Sequence, residues 1–305
     1  MSSDLDAPRT LTPRAIARTR RRESLAGFSR SFRKSRGGML GLVIILIFIT
    51  LALLAPFLFS RSELDVTQAT AAPYLSPSLS YPLGTDDSGR SVLALVVWGA
   101  RVSLLVGLCA TVLSMFIGTS VGIMSGHFRG FTGGSLDRVT EWFLVIPYLP
   151  LAIVLATVLG KSMLVIIVVI GVTSWPGTAR LIRAQTLSVG ARPYLERARA
   201  LGGSNWHQMR KHLLPNVMPL VLANTTLAVS ISILSETTLS FLGLGDPTAV
   251  SWGSILETAF DNGAISLGAW WYLAAPGICV VLVVVAFNLM GRAIEGILDP
   301  KEEII

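Results

Sequence analysis

Side chains able to make or break covalent bonds are scarce in this 305-residue chain. Gly160-Lys161-Ser162 has the ending of a phosphate-binding loop, in which backbone amides cradle phosphates and the lysine reaches the outer ones. Such a loop needs another glycine five positions before its last one, and Leu155 stands there. No nucleotide site of this kind can form. The histidines are His127, His207 and His212, and the two cysteines, Cys109 and Cys279, form no C-x-x-C pair. Neither set has the spacing of a metal site or a disulfide framework, so the cysteines read as small packing residues. Glu236 is the one acid within its long apolar segment. Buried charge in a membrane is costly and marks function; the bland alternative is a carboxylate hydrogen-bonded by Thr237 or Thr238. These residues give no catalytic group and no metal site.

A second pattern is mechanical. Between Tyr194 and Asn216 the residues read as helix, turn, helix. Leu195, Ala198 and Leu201 fall on one face of a first helix, and Gly202-Gly203 breaks it. Ser204 or Asn205 can cap a second helix by accepting its free amide hydrogens. Trp206, Met209 and Leu213 then share a face, and Pro215 marks entry into the next apolar run. A polar, amphipathic helical pair of this kind is a docking knob for a soluble partner.

The elements that must position these residues are membrane helices. Hydrophobic residues make up 52% of the chain and charged ones only 14%, against about a quarter charged in soluble domains. Six stretches are long and uncharged enough to cross a bilayer: Met39–Phe59, Val102–Gly126, Trp142–Gly160, Ser162–Ala179, Leu213–Ser235 and Ala264–Gly291. Ala110, Ser114, Gly118, Gly122 and Gly126 form a stripe of small residues on the second, which predicts close approach of another helix.

The net charge of +7 is a topology signal rather than a nucleic-acid footprint. With the first helix running outward, 21 of the 25 Lys and Arg fall on the cytoplasmic side, and Arg61, Arg90, Arg101 and Lys161 on the other. The positive-inside rule therefore puts both termini in the cytoplasm. The leader before Met39 is too long for the n-region of a signal peptide, so the first apolar run is read as a retained helix.

This gives residues 1–38 as a basic cytoplasmic segment, disordered at first. Its later part is an interfacial helix with Leu25, Phe28 and Phe32 on one face. Residues 39–59 are the first transmembrane helix, 60–96 an external loop, and 97–295 the core, with a cytoplasmic loop at 180–215 and an external loop at 244–264. Residues 296–305 are a cytoplasmic tail. Trp252 is expected in a water-facing loop, either as a docking hot spot or as an interfacial anchor.

Several motifs resemble one family. Glu196, Ala198, Gly202, Leu214 and Pro215 match the spacing of the EAA loop of ABC-importer permeases, with Arg197 and His212 departing from it. Tyr81–Arg90, Gly99–Gly107, Ser174–Gly177, Leu239–Gly245, Ser251–Gly253, Ala286–Asn288 and Leu298–Pro300 are similar to segments of the second ("C") permease of dipeptide, oligopeptide and nickel importers.

The resemblance implies an all-α type I importer permease of six transmembrane helices, in a bacterial or archaeal cytoplasmic membrane. It implies a homologous second permease, two cytoplasmic ATPases holding ATP and Mg, and an external substrate-binding protein. It implies no cofactor, metal or catalytic residue in this chain. Coupling to the ATPases would involve Glu196, Ala198, Gly202, Trp206, Leu214 and Pro215; docking of the binding protein would involve Trp252, Asp86 and Asp87.

The position of all three histidines away from the path tilts the cargo toward di- or oligopeptides over a nickel chelate or other peptide-like cargo. An ATP-independent transporter or channel is the rival class. It needs ionisable groups in the spans, of which Glu236 is the only carboxylate, and it leaves the helical loop unexplained.

Overall fold

The computed structural model describes residues 27–298. The readings made for residues 1–26 and for the last seven residues lie outside that range. Residues 27–34 are helical, with Phe28 and Phe32 half-buried and stacked at 6.2 Å between exposed basic residues.

Among the described residues the fold is helical throughout, with one isolated bridge between Thr85 and Ser91. The elements are α1 (Arg36–Leu58), α2 (Val92–His127), α3 (Phe131–Val145), α4 (Tyr148–Leu159) and α5 (Met163–Gly190). They continue with α6 (Pro193–Ala200), α7 (Asn205–Gln208), a π-turn (Met209–Leu213), α8 (Leu214–Phe241), α9 (Trp252–Asp261) and α10 (Trp270–Leu298). Five helices are long and apolar enough to cross a membrane, and α3 with α4 makes a sixth candidate bent by 91°.

That bend corrects the expected unbroken span Trp142–Gly160. Pro147 has no amide hydrogen to continue the ladder. Its ring also pushes Ile146 out of the helical region, to φ −73° and ψ 125°. Other ends also differ from the expected spans, α2 beginning at Val92 rather than Val102 and α10 at Trp270 rather than Ala264. Ser91 caps α2 and Ser162 caps α5, each side chain accepting an amide hydrogen three residues on, and Gly160 makes the tight α4–α5 turn with φ +94°.

The small-residue stripe does what its spacing implies. A Cβ on Gly118 would stand 2.8 Å from the Trp175 carbonyl oxygen, one on Gly122 2.7 Å from that of Ala179, and one on Gly126 2.8 Å from Thr186 Cβ. Helices α2 and α5 thus meet backbone to backbone, where dispersion and polar contacts hold helices together in lipid. Polar contacts add to it: Asn224 on α8 donates to Thr178 Oγ1 on α5 at 3.0 Å, and Thr111 on α2 donates to Ser232 on α8 at 2.9 Å.

The bundle has two ends. One carries α6, α7 and the π-turn. The other carries residues 60–91 and 242–269, where the expected loop after α8 contains α9. This loop end is tightly built. Asp86 is fully buried, accepts hydrogen bonds from the Ser88 and Arg90 amides, and pairs with Arg90 Nε at 2.6 Å. Tyr272 of α10 donates to Asp87 at 3.1 Å, and Trp271 donates to the Thr85 carbonyl at 3.3 Å.

Candidate functional site

At the knob end, α6 starts at Pro193, whose fixed φ suits the first helical position, and carries Glu196 in its first turn. Leu201 closes the helix and Gly202 follows with φ +79°, the left-handed conformation glycine adopts without penalty. Ser204 then caps α7 by accepting the His207 amide at 3.3 Å. Gln208, buried beneath the turn, holds it closed: its amide donates to the Gly203 carbonyl at 2.7 Å, and its side-chain oxygen accepts from Arg199 Nε at 3.1 Å. Helix, turn and helix are therefore one tied unit.

The two expected faces, Leu195-Ala198-Leu201 and Trp206-Met209-Leu213, are not the ones observed. Leu195 and Leu213 are fully buried, yet Leu201 is 88% exposed and Trp206 67% exposed. Leu201 lies in the turn rather than on α6. The π-turn Met209–Leu213 adds a residue per turn, which rotates Trp206 away from the face of Leu213. Glu196 and Pro215 are exposed, and Ala198 and Leu214 half-buried. The result is an exposed leucine and tryptophan among basic side chains. Trp206, His207, Arg210 and Lys211 line a depression there. His127, at the end of α2, meets Asn205 at 3.1 Å, Nε2 to Oδ1.

The residues expected to dock a partner at the loop end behave otherwise. Trp252 is fully buried, not water-facing. Its indole donates to the Val96 carbonyl at 3.0 Å, its backbone amide donates to Ser103 Oγ at 3.1 Å, and Phe48 packs edge-on at 5.6 Å. Ser251 caps α9, and that places the tryptophan at the first helical position facing inward. Trp252 is a keystone joining α1, α2 and α9, and Asp86 is likewise enclosed; neither has surface to offer a partner. Asp87, partly accessible, is held by Tyr272.

Glu236 is 1% exposed. Ser240 donates to its Oε1 at 2.9 Å, whereas the Thr237 and Thr238 hydroxyls serve their own helix carbonyls, so the donor foreseen from the sequence is not the one used. Its Oε2 has no partner among the described residues. It lines a cavity of about 830 Å3 at the loop end, which no sequence signal disclosed. Of the cysteines, Cys279 is half-buried and Cys109 lies exposed on α2.

Residues 118–303 match a family described as "Binding-protein-dependent transport system inner membrane component". The chain belongs to that family. Residues 25–78 match the "N-terminal TM domain of oligopeptide transport permease C". Among curated relatives, the permease is 35% identical over 277 residues to the dipeptide transport system permease protein DppC of Bacillus subtilis (strain 168), covering 89% of this chain and 84% of that one. It is 33% identical over 301 residues to the dipeptide transport system permease protein DppC of Haemophilus influenzae, covering 97% and 98%. It is 34% identical over 272 residues to the oligopeptide transport system permease protein OppC of Bacillus subtilis (strain 168), covering 88% and 87%. The permease is thus an all-helical, multi-pass membrane protein of the type I importer fold.

Proposed function

We propose that this chain is one of two permease subunits of an ATP-driven, binding-protein-dependent importer of di- or oligopeptides in a prokaryotic cytoplasmic membrane. The peptide transporters named among its relatives support the cargo. The distribution of basic residues supports a cytoplasmic knob and cytoplasmic termini.

The observation that carries the coupling role is the tied helical pair with Leu201 and Trp206 outward. Apolar and aromatic groups in water-facing positions mark interfaces. The fitting partner is a pair of cytoplasmic ATPases that hold ATP and Mg. Glu196, early in α6, offers them a negative charge. This chain supplies no catalytic residue: ATP closure of the ATPases draws the knob, and α7, the π-turn and α8 carry the displacement. They run as 37 residues from Asn205 to Phe241, about 55 Å at 1.5 Å per residue. The two permeases then rock between inward- and outward-facing forms. A homologous second permease and an external substrate-binding protein complete the assembly.

The test is uptake of labelled di- and oligopeptides by proteoliposomes holding the whole complex and its binding protein. Uptake should require ATP on the knob side. Peptide accumulation driven by an ion gradient without ATP would sink the assignment.

A further inference from the structure

The cavity at the loop end has an unusual charge plan. Its walls include Arg61, Arg90, Arg101 and Lys161, the only four basic residues that the charge count leaves on that side. Arg90 is occupied by Asp86 at 2.6 Å. Arg61, Arg101 and Lys161 form no ion pair among the described residues. Arg101 lies over the Trp98 ring at 5.1 Å, which orients its guanidinium fork.

Deeper in the same cavity stands Glu236. One carboxylate oxygen is bonded to Ser240, and the other has no donor. Ser103 and Ser251 lie beside the carboxylate without reaching bonding geometry to Oε2. A buried carboxylate oxygen without a partner carries a desolvation penalty that a donor would relieve. Of the remaining acids of the wall, Asp65 and Asp246 accept from neighbouring Thr67 and Thr248, and half-buried Glu257 lies within electrostatic reach of Lys161, which leaves Arg101 as the cation farthest from an acid partner.

What donor fits? Among the described residues no three His, Cys, Asp or Glu are grouped to hold a metal ion, and one carboxylate oxygen among hydroxyls is a poor cation cage. An ammonium group, with three donors for one carboxylate and nearby hydroxyl oxygens, suits it. The unpaired guanidinium and ammonium groups at the mouth suit a carboxylate. A molecule carrying both ends at short separation is a short peptide. A volume of about 830 Å3 is within the range of small-ligand sites. Glu236, Arg101 and Lys161 line the same cavity, and the long, flexible arginine and lysine side chains can reach toward a ligand seated on the carboxylate.

We propose that this cavity is a substrate station. It takes the free amino terminus of a short peptide on Glu236 and the peptide carboxylate on Arg101 and Lys161. The proposal rests on the peptide-importer reading given above.

The test uses the complete importer in nanodiscs without its binding protein, and a dipeptide carrying a diazirine side chain. Photolabelling should map to α2, α8 and α9 around the cavity. Excess unlabelled dipeptide should protect, whereas the N-acetylated dipeptide and the dipeptide amide should each protect about tenfold less, the loss expected for one charge-assisted hydrogen bond. Free alanine should also protect less than the dipeptide, because it cannot span both ends. E236Q should cut labelling about tenfold, and R101Q with K161Q should abolish the preference for a free carboxylate.

Equal protection by the N-acetylated peptide, or labelling elsewhere in the complex, overturns the station even if E236Q fails to assemble, because those measurements use the wild-type complex. The same preparation is assayed for ATP-driven peptide uptake with binding protein added. Uptake with labelling elsewhere defeats the station alone; no peptide uptake at all defeats the function it rests on.

Discussion

His127 Nε2 and Asn205 Oδ1 lie 3.1 Å apart, joining residues 78 positions apart in the chain. One ends α2 and the other begins α7, so the first helix of the tight α2–α5 seam is fastened to the knob. The imidazole is 8% exposed, and its Nδ1 has no partner among the described residues. The pair links the knob directly to the end of α2.

If that fastening transmits movement, Asn205→Ala should leave subunit assembly intact and weaken stimulation of ATP hydrolysis by loaded binding protein several-fold. A neutral-to-neutral hydrogen bond contributes about 1 kcal/mol, which sets the scale at roughly fivefold. Wild-type stimulation in the mutant would reduce the contact to local packing. Ser204→Ala, which removes the cap without touching His127, is the control.

The knob turn makes a sharper contrast between neighbours. A Cβ on Gly202 would meet nothing within 4 Å, but the residue holds φ +79°; one on Gly203 would stand 2.8 Å from the Ala198 carbonyl oxygen. Gly202→Asn should therefore be tolerated, because asparagine enters the left-handed region at small cost, while Gly202→Val should strain the turn by about 1–2 kcal/mol. Gly203→Ala should fail for steric reasons. ATPase co-purification and substrate-stimulated hydrolysis report all three. Equal behaviour of Asn and Val at position 202 would contradict the backbone explanation.

Trp252→Ala should destabilise the permease by about 3–5 kcal/mol, the scale for removing a buried aromatic side chain. It should not act as a selective docking defect. Thermal unfolding of the detergent-solubilised chain reads the first, and binding-protein affinity of whatever remains folded reads the second. A cysteine placed at 252 should resist labelling from either side. In a background lacking Cys109 and Cys279, cysteines replacing exposed Thr70 and Thr248 should react from outside, and one replacing Asn205 only after permeabilisation. Labelling of position 205 in sealed, correctly oriented cells would invert the topology.

Asp246 gives a pH prediction outside the spans. Hydrogen bonds from the Thr248 hydroxyl and amide, and from the Met163 amide that opens α5, hold its carboxyl below the usual carboxylate value. A depressed folded pKa adds stability that is present above the unfolded value, about 3.9, and is lost as pH falls through the folded one. Asp246→Asn should lower Tm slightly at neutral pH, where the wild type holds this stability in full, and flatten the acid-side decline below about pH 4, so that the two curves converge in acid. An identical acid profile in the mutant would refute the assignment.

Most of this architecture is written in local patterns. Uncharged length discloses α1, α2, α5, α8 and α10 because lipid demands it, and Gly118, Gly122 and Gly126 disclose the α2–α5 seam because only small residues permit it. The Gly202–Ser204 break was equally legible. Three features were not. Pro147 stands in an apolar run that satisfies the length criterion, so hydropathy hides the 91° bend that the proline makes. Trp252 follows a polar, Gly- and Pro-rich stretch that resembles a water-facing loop; its burial depends on Val96, Ser103 and Phe48, brought together only by the fold. The setting of Glu236, against Ser240 and a cavity lined by α2, α8 and α9, depends on elements that only the fold brings together.

The glycine seam also limits how this permease can move. Sliding α2 along α5 by a single residue is a step of about 1.5 Å. It would take each glycine out of a hollow in which a Cβ would stand under 3 Å from the facing helix, and leave the hollows out of register. The two helices are keyed like splines on a shaft, with the next matching notch four residues, about 6 Å, away. Any shear during a transport cycle must therefore fall on looser joints, at the Ile146-Pro147 corner or the π-turn, while α2 and α5 turn together.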